Sequence, residues 1–149
     1  MAASFTLYSS ARQFILDGTI DLLVDTLKVM LVTSSYTPDL AHDEIADITS
    51  SPTNEVSSGS GYTTGGETLT GKTITHTDSP SVGTFDAENV VWTSLTKVFR
   101  YGVLYASKSI SPYVNPLIGY ILFDATPADI DLTASNFTIQ WNASGIITD

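Results

Sequence analysis

The sequence contains no cysteine and few positively charged residues. Without cysteine there is no disulfide framework, no thiolate nucleophile and no cysteine-based metal site. Lys and Arg total 6 against 16 Asp and Glu, which gives a formal net charge of −10. Because contacts to phosphate groups require Lys and Arg, we expect no binding to nucleic acid. No apolar run is long enough to span a membrane, and MAASFTLYSSAR at the start lacks the pattern of a signal peptide.

The sequence is also poor in catalytic signatures. It has 2 histidines and no G-x-S-x-G nucleophile motif, and the glycine-rich stretch 59–66 lacks the lysine of a P-loop. His76 and Asp78 have the spacing of a general-base pair on a strand, but no nucleophile is placed beside them. Asp86 and Glu88, a carboxylate pair of the kind that cleaves glycosides, fall in a predicted turn. We therefore expect no enzymatic activity and no cofactor.

The composition is that of one globular domain covering residues 1–149. Hydrophobic residues make up 42% of the chain, which is enough for a core, whereas charged residues make up only 15%. Ser and Thr supply most of the polar surface. A chain rich in Thr and poor in Lys and Glu favours strands over helices.

One segment has the pattern of a helix. Apolar residues at helical spacing, including Phe14 and Ile15, predict an N-terminal helix over residues 9–18. Ser9 or Ser10 is placed to cap its first turn.

The rest of the chain has the pattern of strands. The continuous apolar run 27–33 predicts a strand that is buried on both faces. After residue 66, apolar and polar residues alternate in segments separated by turns about every ten residues, which indicates six or seven strands. We therefore predict a mainly β fold, an antiparallel β-sandwich or barrel with one N-terminal helix. The predicted core consists of Phe14, Val29, Leu31, Trp92, Tyr101, Val103, Ile118, Ile121, Phe137, Ile139 and Trp141.

Residues 34–66 form a long loop excursion that is rich in Ser, Thr, Gly and Pro. Loops of this length in a domain often contact a partner, and tyrosines in them make good interface residues. A short helix is expected at 39–47, where an acidic cluster lies. We predict that this cluster is a solvated loop; a divalent cation such as calcium, held weakly between subunits, is the alternative. We expect this excursion and the loop 106–115 to make the contacts with a partner. The predicted interface residues are Tyr36, Asp39, Asp43, Glu44, Asp47 and Tyr62 in the excursion and Tyr113 in the second loop.

Five blocks of the sequence resemble a group of small structural proteins from tailed bacteriophages and prophages. The blocks occur in the same order and cover most of the chain. They are FILDGTIDLLVDTLKVMLVTSSYTPD at 14–39, NEVSSGSGYTTGGETLTGKTIT at 54–75, FDAENVVWTS at 85–94, PLIGYILFD at 116–124 and FTIQWNASGI at 137–146. Segments 40–53 and 106–115 depart from the group, and we expect them to form a variable surface.

The resemblance implies a structural role in the virion and supplies no catalytic motif. The expected function is that of a capsid decoration (cement) protein, which binds the outside of the shell and stabilises it after assembly in the bacterial host cytoplasm. The major capsid protein or other virion subunits would be its partners, and it would act as a homo-oligomer. A tail tube, tail terminator or fibre-associated protein is the first alternative. A carbohydrate-binding module is the second, which would require exposed aromatic side chains.

Overall fold

The computed structural model describes residues 4–50 and 52–149, and most of them lie in antiparallel strands or the turns between strands. The elements in chain order are β1 (Ser4–Leu7), α1 (Ser9–Leu16), β2 (Leu27–Val32), α2 (Ala46–Thr49), β3 (Glu67–Thr68), β4 (Thr73–Asp78), β5 (Ser81–Asp86), β6 (Val90–Phe99), β7 (Tyr101–Ala106), β8 (Ser109–Ile110), β9 (Tyr113–Val114), β10 (Leu117–Leu122), β11 (Ile130–Ile139) and β12 (Ile147–Thr148). The predicted mainly β class with one N-terminal helix is confirmed. Besides the six or seven predicted strands, the structure contains β1 and the two-residue strands β3, β8, β9 and β12.

Helix α1 lies close to its predicted position, but its predicted cap is wrong. Tyr8, in an extended conformation, precedes the first turn, and no side chain caps it. The amide of Ser9 donates instead to the carbonyl of Leu40, at 3.0 Å. A loop contact thus takes over the function of a serine cap. The helix ends before Gly18, whose φ of 76° suits glycine.

Five strands form the central sheet, in the order β1-β10-β7-β2-β3, and all its pairings are antiparallel. Strand β2 is buried on both faces, as the continuous apolar run predicts. Val29 and Leu31 contribute to one hydrophobic core, and Met30 and Val32 contribute to another. The sheet is therefore the middle layer of the molecule.

The larger core lies between the sheet and a two-stranded ribbon of β6 and β11. Trp92, Phe99 and Phe137 pack there as a group of rings, with centroids 4.9 Å apart for Phe99 and Phe137 and 6.1 Å apart for Trp92 and Phe137. Such aromatic contacts add to the stabilisation that burial of the rings provides. All predicted core residues are buried except Tyr101 and Trp141, which are half-buried.

The smaller core lies on the opposite face of the sheet, where the start of α1 and the segment 36–48 pack. Its buried residues are Tyr8, Ala11, Met30, Val32, Tyr36, Ile48, Val103, Tyr105 and Leu117. Part of the excursion is therefore folded onto the sheet and buries apolar surface there. None of the helices in the described part of the chain is long and apolar enough to cross a membrane.

The short helix expected at 39–47 is wrong; the structure has one helical turn, α2, slightly further along. The carboxylate of Asp39 accepts a hydrogen bond from the amide of Ala41 at 2.9 Å, and that of Asp47 accepts one from the amide of Asp43 at 2.8 Å. Aspartate side chains that capture nearby amides in this way favour turns over helix.

Candidate functional site

The acidic segment 39–47 lies beside the β8–β9 hairpin, about 70 residues further along the chain. The amide of Val114 donates to the carboxylate of Glu44 at 2.7 Å, across a separation of 70 residues. Main-chain hydrogen bonds from Ile45 to Asn115, at 3.1 Å, and from Leu117 to Asp43, at 2.9 Å, hold the two segments together. We call the surface formed by residues 39–47 and 109–115 the acidic face.

Four carboxylates lie on the acidic face, and no described Lys, Arg or His side chain forms an ion pair with them. In the described part of the chain, Asp39, Asp43, Glu44 and Asp47 form no salt bridge. The ion pairs that the structure contains lie elsewhere: Arg100 with Asp129, Lys108 with Asp25, and His76 with Asp78. The acidic face therefore presents uncompensated negative charge to the solvent, which attracts a positively charged surface.

The alternative of a bound cation finds no support in the geometry. Residues 4–50 and 52–149 contain no group of three or more His, Asp or Glu side chains that could hold a metal ion. The imidazole of His42 is instead bonded through Nδ1 to the hydroxyl of Tyr36, at 3.0 Å.

Apolar side chains accompany the charges. Leu40 is 45% exposed and Val114 is 52% exposed, and both are large enough to contribute apolar area to a contact. Tyr113 is half-buried, and its ring centroid lies 5.6 Å from that of Phe14 in α1. Tyr113 is the one predicted tyrosine anchor with part of its side chain accessible on the acidic face.

Tyr36, a predicted interface residue, is buried within the chain and offers a partner little surface. Its side chain is only 3% exposed and packs in the smaller core. Its hydroxyl bonds to that of Tyr8 at 2.8 Å, and burial raises its pKa. Tyr36 therefore fixes the start of the acidic segment to the sheet.

Tyr62, also a predicted interface residue, is buried as well. Its side chain is 3% exposed and packs in the larger core, on the side of the sheet away from the acidic segment. The hydroxyl donates to the carboxylate of Glu55 at 2.8 Å and accepts from the amide of Leu31 in β2 at 3.1 Å. Burial raises the pKa of Tyr62, and the negative charge of Glu55 raises it further.

Glu55, which sequence reasoning missed, is the one buried charged residue in the described part of the chain, at 9% exposure. It also accepts a hydrogen bond from the amide of Gly65 at 2.6 Å. The carbonyl of Gly65 accepts one from the hydroxyl of Tyr105 at 2.6 Å, and burial together with the charge of Glu55 raises the pKa of Tyr105 to about 12. No sequence signal marks Glu55, because its partners lie in irregular segments.

An open groove of about 600 Å³ lies elsewhere, between β1 and the C-terminal segment. Phe5, Trp141 and Ile146 contribute to its walls. Trp141 is half-buried, and its indole N–H donates to the carbonyl of Glu88 at 3.0 Å. Trp92 is fully buried in the larger core. The groove thus has one partly accessible tryptophan and lacks the row of exposed rings that the carbohydrate-binding alternative requires.

Comparison with known proteins gives no family assignment. No protein-family model, no curated protein and no solved structure matches the chain.

Proposed function

We propose that this protein is a structural subunit of a tailed-phage virion that decorates the outer surface of the capsid and stabilises the shell. The acidic face is the surface through which it would bind the major capsid protein. The observation that carries the proposal is the contact between residues 40–47 and 109–115, about 70 residues apart in sequence. They are parts of segments 40–53 and 106–115, which are expected to depart from the resembled phage group. A surface that binds the subunits of one particular virion would be expected to differ in sequence between related proteins.

The charge of the chain supports a position on the outside of the shell. A net charge of −10 opposes contact with packaged DNA. In the described part of the chain the four carboxylates of the acidic face accept only main-chain hydrogen bonds and form no salt bridge, so their charge is available to basic groups on another subunit. Such charges mainly steer the encounter and set its orientation.

The apolar residues of the acidic face would supply the remaining contact energy. Leu40 and Val114 are exposed there, and Tyr113 is partly accessible. Tyr36 and Tyr62 are buried, so Tyr113 is the one predicted tyrosine that can contact a partner. The carboxylates therefore contribute a larger share of the attachment energy than they would with three accessible tyrosines. We therefore expect attachment to weaken as salt rises, because exposed charges are screened over about 8–10 Å at physiological ionic strength.

The experiment is to strip particles of the protein with salt, add back purified variants, and measure the copies bound per particle. An Asp43→Asn/Glu44→Gln variant should bind roughly 2- to 30-fold more weakly, because each exposed ion pair contributes about 0.2–1 kcal/mol. A matched control, Glu67→Gln/Asp131→Asn, makes the same charge change at exposed positions on β3 and β11 and should bind like wild type.

Three results would contradict the proposal in different ways. Equal binding by both double variants would exclude the acidic face as the attachment surface. Failure of wild type to rebind any particle would remove the decoration role. A few copies per particle at one end, instead of many copies over the shell, would identify the protein as a tail component.

A further inference from the structure

Strand β4 lies at an open edge of the sheet formed by β12, β5 and β4. Within residues 4–50 and 52–149, it is paired to β5 alone. All 6 of its side chains, TITHTD, are exposed, including Ile74 at 52%. A strand of this kind presents unpaired main-chain groups to any strand that approaches it.

Hydrogen bonds on the far side of β5 determine which groups of β4 are free. Gly83 exchanges two main-chain hydrogen bonds with Asp149, at 2.9 and 3.0 Å, and the carbonyl of Phe85 accepts one from Ile146 at 2.8 Å. Gly83 and Phe85 therefore direct these groups toward the C-terminal segment and away from β4.

Hydrogen-bonded and non-hydrogen-bonded residue pairs alternate along an antiparallel ladder, so the orientation of the groups on β5 also determines the orientation of those on β4. Gly83 lies opposite His76, and Phe85 lies opposite Ile74. In such a ladder the residues of a non-hydrogen-bonded pair direct their N–H and C=O groups outward on both strands. Ile74, His76 and, by alternation, Asp78 thus present their main-chain groups at the open edge.

The β4 edge lacks the features that usually prevent strands from pairing. Its register with β5 runs without a shift from Thr73 to Asp78, and the strand contains no proline or lysine. Strand β11, also at the edge of its sheet, has register shifts between Leu132 and Ser135 and between Ser135 and Phe137. Such bulges disrupt pairing with a further strand. Of β4 and β11, β4 is therefore the strand that can pair along its whole length.

We propose that a second copy of this chain pairs with β4 in antiparallel orientation, about a two-fold axis at His76. In this register His76 lies opposite the partner's His76, and Ile74 lies opposite the partner's Asp78. The pairing uses the outward N–H and C=O groups of all three residues on each strand. A two-fold contact of this kind is self-complementary, because each residue meets its counterpart reciprocally.

The side chains of β4 fit a second copy. Thr75 lies opposite the partner's Thr77, and pairs of Thr across strands are favourable. The strand has one carboxylate, Asp78, whose oxygen is 3.7 Å from Nε2 of its own His76. A strand with so little charge allows two chains of net charge −10 to approach. Six residues bury less area than a standard interface, so the dimer is weak and depends on concentration.

A disulfide trap tests this register directly, because the chain has no cysteine. Cα atoms in a hydrogen-bonded antiparallel pair are about 5.5 Å apart, within the roughly 4.4–6.8 Å that disulfides span. A His76→Cys variant should therefore form a covalent dimer rapidly on oxidation. An Ile74→Cys variant is the matched control: the same face carries both residues, but two copies of residue 74 would lie about 14 Å apart along the strand. Equal oxidation rates would overturn the register.

Sedimentation equilibrium of the reduced or cysteine-free protein tests the dimer itself. A His76→Pro variant removes one outward N–H without removing a hydrogen bond to β5, and it should be monomeric. A His76→Thr variant keeps the N–H and should dimerise like wild type. Circular dichroism confirms that both variants fold. A wild-type protein that stays monomeric at the highest attainable concentration, or a His76→Pro variant that dimerises equally well, would refute the proposal. These measurements use the isolated protein and do not depend on the proposed virion role.

Discussion

Removal of the hydroxyl of Tyr62 should destabilise the fold although the position lies in a loop. The Tyr62→Phe change leaves the ring in the larger core but removes a hydrogen bond to the buried carboxylate of Glu55. It also removes the acceptor for the amide of Leu31, at 3.1 Å. A hydrogen bond to a charged group contributes about 1.5–3 kcal/mol, and an unpaired buried donor costs about 1–3 kcal/mol. Because these two contributions partly overlap, we expect a loss of about 2–4 kcal/mol.

The measurement is the free energy of unfolding from urea titrations followed by circular dichroism. For a chain of this size, each kcal/mol corresponds to about 2–4 °C in Tm, so thermal scans provide an independent check. A Tyr113→Phe variant is the matched control, since the hydroxyl of Tyr113 makes no hydrogen bond to the described residues. Its change should stay within about 0.5 kcal/mol.

A double-mutant cycle with Glu55→Gln isolates the contact between the two side chains. The cycle should give a coupling energy of about 1–2 kcal/mol, within the range for residues that share a hydrogen bond. A coupling energy near zero, or a Tyr62→Phe variant as stable as Tyr113→Phe, would refute the assigned network. Tyr62 packs in the larger core and is not one of the residues that form the acidic face, so the destabilised variant should still rebind particles when folded.

Three further predictions concern stability. Gly66→Ala should lower the free energy of unfolding by more than about 2 kcal/mol, because Gly66 has a φ of 78° and a Cβ there would lie 1.8 Å from a main-chain oxygen of β2. The control is Gly83→Ala, because a Cβ at Gly83 has no atom within 4 Å. Its free energy of unfolding should change by less than about 0.5 kcal/mol in the same urea titration. Burial raises the pKa of Asp25, but the hydrogen bond to Lys108 and its charge lower the pKa further, to below its ordinary value. The carboxylate therefore stabilises the fold above the unfolded pKa of about 3.9, and this contribution is lost as pH falls through the lower folded value, so Asp25→Asn should destabilise at pH 7 and change little near pH 2. The buried indole N–H of Trp92 has no partner among the described residues, so Trp92→Phe should cost about 1–2 kcal/mol in thermal scans, well below the 3–5 kcal/mol of Trp92→Ala.

The elements with a strong local pattern could be predicted from the sequence. A continuous apolar run marks β2 as a strand covered on both faces, and alternation marks the end of β11, where Phe137 and Ile139 are buried and Thr138 is exposed. Helical spacing of apolar residues places α1 within two residues of its observed end. These patterns succeed because burial of a strand or helix face depends on the period of side chains along the chain itself.

Burial of individual loop side chains could not be predicted in the same way. Tyr36 and Tyr62 lie in a segment rich in Ser, Thr and Gly, which is typical of exposed loops. The hydroxyl of Tyr36 reaches Tyr8, which is 28 residues away, and that of Tyr62 reaches Leu31, which is 31 residues away. A local pattern contains no information about such distant partners.

The sequence by itself determined the class of fold and the acidic character of the chain. That segments 40–53 and 106–115 vary is an expectation that the resemblance alone supplies. Only the tertiary structure decided that these segments meet, because Glu44 and Val114 come together through the packing of the excursion against the β8–β9 hairpin. It also decided that β4 keeps an open, regular edge, since that depends on which neighbours β5 acquires. Composition and periodicity are properties of neighbouring residues, whereas the pairing of distant strands depends on the free energy of the whole chain.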